Sequence, residues 1–113
     1  RLAERRRSFS GSLSGGERQL LAIARGLLTG SDILVLDEPS EGLAPLVIED
    51  AIVGTVGQLA KEGMTLLIAE QNVAIALRLA TRAIVLGGGK VVFDGTPETL
   101  LADRDLQRET LGV

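Results

Sequence analysis

With 113 residues, 45% of them apolar, the chain has room for one domain with one modest core and is too apolar to be disordered. A net charge of −3 argues against a general nucleic-acid binder, and two Phe with no Trp or Tyr leave no stacking platform for single strands. The absence of Cys and His excludes disulfides, thiolate sites, zinc sites of the usual kind and any Ser-His-Asp machinery.

The chain opens Arg-Leu-Ala-Glu-Arg-Arg-Arg, without the apolar region of a signal peptide and without an initial Met. We therefore expect a piece of something longer or a processed segment. The basic run Arg5-Arg6-Arg7 is a local exception to the charge argument against nucleic acid, but a solvated helix face explains it at least as well. Residues 1–12 read as a helix end followed by a Ser/Gly-rich loop. The longest charge-free stretch, Ala51 to Ala60, is far short of the ~18 residues of a membrane span.

Leu13-Ser14-Gly15-Gly16-Glu17 follows. Ser14 can cap a helix, and Glu17 three residues on fits a capping box. Leu20, Ala24, Leu27 and Leu28 recur at helical spacing, so a helix is expected over about 15–28, with Gly30 as its stop. Two glycines in a first turn each cost about 1 kcal/mol relative to Ala. They make sense if something approaches the backbone closely. Free N–H groups, the positive helix end and the Ser14 hydroxyl would form a phosphate-type anion site. A plain flexible N-cap is the structural alternative.

Ile33-Leu34-Val35-Leu36 then runs into Asp37-Glu38-Pro39. The aliphatic run reads as a strand over 32–37, buried on both faces. Ionised carboxylates are expensive inside a protein, so Asp37 and Glu38 belong where the strand emerges. Open α/β sheets place their ligands at that carboxyl end. Asp37 can hold Mg²⁺ directly or through water. Glu38 points to the other side and could polarise a water attacking a phosphate. A buried strand ending in a solvated acidic turn is the plainer reading.

A turn-rich loop, Pro39 to Pro45, leads to a helix over about 46–61 with Ile48, Ile52, Val56 and Leu59 on one face. Met64 to Ala69 is a second buried strand, ending in Glu70-Gln71-Asn72. A helix over about 73–80 and a strand over 83–86 follow. Gly87-Gly88-Gly89-Lys90 turns the chain into strand 91–93, making a β-hairpin. Thr96 caps a helix with Pro97 at its first position, and two short helices, about 97–102 and 104–110, finish the chain. This order means βαβ units, a mostly parallel sheet and an antiparallel margin.

The polar signals at the breaks, in this order, resemble the ATP-binding subunit of ABC transporters over essentially the whole chain. Leu13 to Glu17 is similar to the signature motif, Ile33 to Asp37 to Walker B with Glu38 as the catalytic carboxylate, and Ser40 to Pro45 to the D-loop. Gln71 stands where the switch histidine usually lies. Leu36 to Ser40 with Gly42-Leu43-Ala44-Pro45, Ile68 to Asn72, and Gly95-Thr96-Pro97 with Leu100-Leu101-Ala102 resemble the high-affinity branched-chain amino-acid importers. Urea or short-amide importers share much of this pattern.

The resemblance implies a head-to-tail dimer of two such subunits, two sandwiched ATP molecules and transmembrane permease partners. It places the protein in the cytoplasm, peripheral on the inner face of the membrane, with no role for nucleic acid. Ser14, Gly15, Gly16, Glu17 and Ser40 would contact nucleotide, the signature residues reaching the γ-phosphate of an ATP held mainly by the partner. Asp37 would hold Mg²⁺, Glu38 would activate water, and Gln71 would sense the γ-phosphate as a neutral group that does not titrate as histidine does. Ala44 replaces the D-loop aspartate of many relatives, so Ser40, Glu41 or backbone would stand in. No G-x-x-x-x-G-K-[ST] and no Q-loop occur.

The implied fold is therefore α/β: a partial P-loop NTPase (RecA-like) domain, missing the P-loop strand. Residues 1–113 would be the C-terminal half of a nucleotide-binding domain, with 1–30 ending the helical subdomain and 31–113 in the core. By itself this piece is expected not to hydrolyse ATP, and exposed apolar edges are expected where the missing strand would pair. A truncated, non-catalytic paralogue that acts as an interaction module is the competing reading; an ABC-type ATPase outside transport fits the acidic balance and importer-like loops less well.

Overall fold

The computed structural model describes residues 14–112. The expected helix end and loop over 1–12, and Leu13 of the signature stretch, lie outside these residues. Two compact units meet in sequence at Asn72/Val73.

In the first unit, helix α1 spans Gly15–Leu27 and opens with the expected capping box. The Glu17 N–H donates to Ser14 Oγ at 3.1 Å, and the Ser14 N–H donates to Glu17 Oε1 at 3.0 Å. Strand β1 (Ile33–Asp37) pairs in parallel with β2 (Thr65–Ala69), from Ile33 opposite Thr65 to Asp37 opposite Ala69. The crossover is helical from Pro45 to Lys61, but not uniformly so. It comprises α2 (Pro45–Val47), a π-helical stretch (Ile48–Val53) and α3 (Gly54–Lys61). The wider turn carries Ala51 as well as Ile52 to the buried side, while Ile48 is only half-buried. Gly63, at φ +89°, ends the crossover in a conformation that favours glycine.

One face of the β1–β2 pair meets the helices. Ile23 of α1, Leu34 of β1 and Leu59 of α3 form the core, with Leu27, Leu36, Met64 and Leu66 packed against it. The expectation of a strand buried on both faces fails here. Val35 is 64% and Ile33 55% exposed, and their neighbour Leu67 is also exposed. Side chains alternate across a strand, so a two-stranded sheet covered on one side must show its other apolar side.

In the second unit, α4 spans Val73–Leu79 and β3 (Ala83–Gly87) forms a hairpin with β4 (Lys90–Gly95). Gly88 and Gly89 sit at φ +57° and +78°, the left-handed pair that a two-residue hairpin turn needs. A bulge between Val85 and Leu86 shifts the register, so that Val85 faces Phe93 and Leu86 faces Val91. Arg82 grips Asp94 with two hydrogen bonds of 2.8 and 2.6 Å, which hold the Asp94 carboxyl below its ordinary value. Helices α5 (Pro97–Ala102) and α6 (Arg104–Leu111) follow. The expected Thr96 cap forms, its Oγ1 accepting from the Thr99 N–H, and Asp103 Oδ1 caps α6 by accepting from the Leu106 N–H.

Among the described residues, the expected parallel pairing is that of β1 with β2, and the expected hairpin is that of β3 with β4. Leu67, Ile84 and Leu86 are each more than half exposed, and among the described residues β2 and β3 each pair with a strand along one edge alone. Among the described residues, no helix is long and apolar enough to cross a membrane.

Candidate functional site

The parallel pairing of β1 and β2 brings their carboxyl ends together. Asp37 stands opposite Ala69, and the next N–H, that of Glu38, donates to Ala69 O at 2.7 Å. Asp37 and Gln71 are exposed and Glu38 is half-buried, so three predicted functional residues share one sheet end. Glu38 has φ +47°, the only non-glycine described residue in the left-handed region. Such a backbone costs about 1–2 kcal/mol for an L-residue and persists where neighbours over-determine it.

The Glu38 carboxyl is raised above its ordinary value. Desolvation is the largest cause, followed by the negative charges of Glu41, Asp37 and Glu70 and a hydrogen bond with Glu41. A raised carboxyl is a stronger base once ionised. The same concentration of negative charge suits a cation. Among the described residues, no cluster of three or more acids, His or Cys is placed to hold a metal by itself. The donor set fits Mg²⁺, which is usually held by one or two carboxylates together with substrate phosphates and water. Asp37 is an exposed carboxylate at this strand end.

The start of α1 is built into the loop that follows β1. A Cβ on Gly15 would lie 2.9 Å from Leu43 Cδ2, and one on Gly16 would lie 2.5 Å from Val47 Cγ1 and 3.6 Å from Ala51 Cβ. The two glycines thus have a reason inside the chain, because α1 approaches the loop and the crossover helix too closely for side chains. Gly16→Ala is expected to lose stability: overpacking costs about 1–3 kcal/mol, against about 1 kcal/mol regained in helix propensity. Gly57 in α3 has nothing within 4 Å of its Cβ position, so Gly57→Ala should stabilise by about 0.5–1 kcal/mol. Urea unfolding of the two variants of the complete gene product checks the opposite signs; equal shifts would reject the packing account.

The other predicted contacts are placed as follows. Ser14 is exposed at the helix start, its oxygen accepting from Glu17 N–H while its hydroxyl proton can still be donated. Glu17 is 6% exposed and caps its own helix. Ser40 is also 6% exposed, and its N–H donates to Glu70 Oε2 at 3.3 Å. Sequence reasoning missed two residues here. Glu70 also accepts from the Asn72 N–H at 3.3 Å, and Gln19 Nε2 donates to Pro39 O at 2.9 Å. Glu70 could have been noticed as a third acid at a strand end; nothing in the spacing marks Gln19.

Residues 1–41 match the family model described as ABC transporter. The chain is 45% identical over 112 residues to the high-affinity branched-chain amino acid transport ATP-binding protein BraG of Pseudomonas aeruginosa, covering 99% of this chain and 48% of that one. It is 38% identical over 101 residues to the lipopolysaccharide export system ATP-binding protein LptB of Haemophilus influenzae, covering 89% and 42%. Among solved structures, the ADP conformation of an ATP-binding cassette of an ABC transporter superposes with a TM-score of 0.77 at 31% identity, covering 92% of this chain and 42% of that one. The chain spans less than half the length of each of these proteins.

Proposed function

We propose that this chain, a relative of the ABC transporter ATP-binding subunits with their P-loop NTPase fold, serves a protein that binds and hydrolyses ATP to drive import of branched-chain amino acids. Residues 1–113 act as the C-terminal half of its nucleotide-binding domain, with 1–30 closing the helical subdomain and 31–113 in the core. One observation carries the reading: Asp37, Glu38 and Gln71 share the carboxyl end of a parallel strand pair, and the capped start of α1 is docked on the loop that follows. That is where α/β sheets bind ligands.

Asp37 would hold Mg²⁺, which would supply charge neutralisation on the phosphates when bound. Glu38 accepts a proton from water, and Gln71 donates a hydrogen bond to the γ-phosphate. Ser14 and the N–H groups of Gly15 and Gly16 offer an anion site to a nucleotide carried mainly by a second subunit, whose phosphate the positive end of α1 favours. Glu17 supports that contact by fixing Ser14, and Ser40 lines the same loop. In this reading the chain works in a head-to-tail dimer attached to permease subunits on the inner face of the membrane, as its likeness to ABC transporter ATP-binding proteins supports. The 113-residue piece by itself is inactive, because no P-loop lysine is present to grip the β- and γ-phosphates.

The BraG likeness over nearly the whole chain supports branched-chain amino acids as substrate. Loss of the gene should abolish high-affinity leucine uptake; loss of urea uptake instead would favour an importer of urea or short amides. A complete gene product with no P-loop upstream would favour a truncated paralogue that acts as an interaction module. The site is tested through Ser14. Ser14→Arg places bulk and an unsatisfied cap at the phosphate-facing helix start, so ATP-driven dimerisation of the complete gene product should weaken in sedimentation. Normal dimerisation would remove the phosphate contact from this helix.

A further inference from the structure

The peptide group that joins Pro39 to Ser40 is held at both ends by side chains. Its carbonyl accepts from Gln19 Nε2 at 2.9 Å, and its N–H donates to Glu70 Oε2 at 3.3 Å. The other oxygen of Glu70 accepts from the Asn72 N–H at 3.3 Å, next to Gln71. Pro39 and Ser40 are both buried, and neither belongs to a strand ladder. A buried peptide outside a ladder needs partners from elsewhere, and here both come from side chains.

The residue before this peptide pair is Glu38, in its left-handed conformation. Its own N–H is anchored on Ala69 O at 2.7 Å, and its carbonyl accepts from the Glu41 N–H at 3.1 Å. What remains to be fixed is the plane that follows Pro39, which decides how the turn leaves the strand.

We infer that Gln19 and Glu70 are positioning residues for the Glu38 carboxylate: by gripping opposite ends of the Pro39–Ser40 peptide they lock its plane and tie helix α1 and the Gln71 loop to the base. The inference rests on the reading of Glu38 as the base. The two grips are chemically distinct. An amide is needed on the carbonyl side, because it donates. A carboxylate is needed on the other, because it accepts from two N–H groups at once. Gln19→Glu sets acceptor against acceptor, and Glu70→Gln leaves one oxygen for two donors. A small misplacement of a reacting group can cost about 10²-fold in rate.

In the complete gene product, Gln19→Glu and Glu70→Gln are each expected to lower kcat for Mg-ATP hydrolysis by about 10²-fold with KM for ATP unchanged. The double variant should fall no further than the worse single variant, since a plane released once is released. Gln19→Ala and Glu70→Ala, which add no new acceptor, replace the swaps if those fail to fold. A raised KM with normal kcat, or losses that multiply in the double variant, would overturn the inference. Amide exchange provides a readout without turnover. Gln19→Glu should deprotect the Ser40 N–H although its side chain touches only the carbonyl, and unchanged protection would overturn the clamp. A complete gene product that does not hydrolyse ATP removes the base reading of Glu38, and the exchange measurement then decides the clamp by itself.

Discussion

Glu38→Gln in the complete gene product is expected to lower ATP hydrolysis by about 10²–10⁴-fold, the range a positioned general base contributes, while leaving ATP binding in place. The amide keeps the size and shape of the carboxylate and its backbone position, so binding contacts survive. It cannot accept a proton at neutral pH. The environment of Glu38 is what gives the prediction its force: desolvation and the charges of Glu41, Asp37 and Glu70 hold its carboxyl above the ordinary 4.5. A carboxylate so placed takes a proton more readily than a free one. Asp37→Asn, one residue earlier, should act differently, weakening the Mg²⁺ dependence of hydrolysis. Single-turnover hydrolysis and nucleotide-binding titrations separate the two; unchanged turnover in Glu38→Gln would remove it from the role of base.

Ile52→Ala is expected to destabilise the protein by about 2–5 kcal/mol, the cost of a large-to-small change in a packed core. Ile52 is fully buried, in the π-helical stretch beside Ala51 and above Val56, which are 2% and 1% exposed. The start of α1 rests on this stretch and on the turn before it, with Ala51 and Val47 of α2 against Gly16. The wide turn and the glycine let two helices meet closely, so little space remains for neighbours to relax into a cavity. Partial relaxation is what makes the cavity term large. Denaturant unfolding should show a lower midpoint with an unchanged slope. A midpoint equal to that of the parent protein would mean that the segment is not part of the cooperative core.

Local signals carried the sequence reading a long way. The Ser14–Glu17 capping box, the Thr96 cap followed by Pro97, the Gly88-Gly89 turn and the strand–helix–strand order depend on neighbours within a few residues, and each forms as read. The acidic tip of β1 was legible for the same reason: four aliphatic residues meeting two carboxylates leave those charges only the strand end.

Contacts between distant residues were not legible. A continuous aliphatic run calls for cover on both faces, but the run does not say whether that cover is at hand, so the exposure of Ile33 and Val35 depended on how many elements lie on the sheet. The glycines of α1 looked like room for a ligand because the spacing says only that something comes close. The structure supplies Leu43 and Val47 as that something. Composition and short-range pattern determined which segments become helices and strands, and which end of β1 bears charge, because those choices are made within a turn or a strand. Only the tertiary structure decided the left-handed backbone of Glu38 and the meeting of Gln19, Pro39–Ser40 and Glu70, because it joins residues 20 and 30 positions apart, a separation no local periodicity encodes.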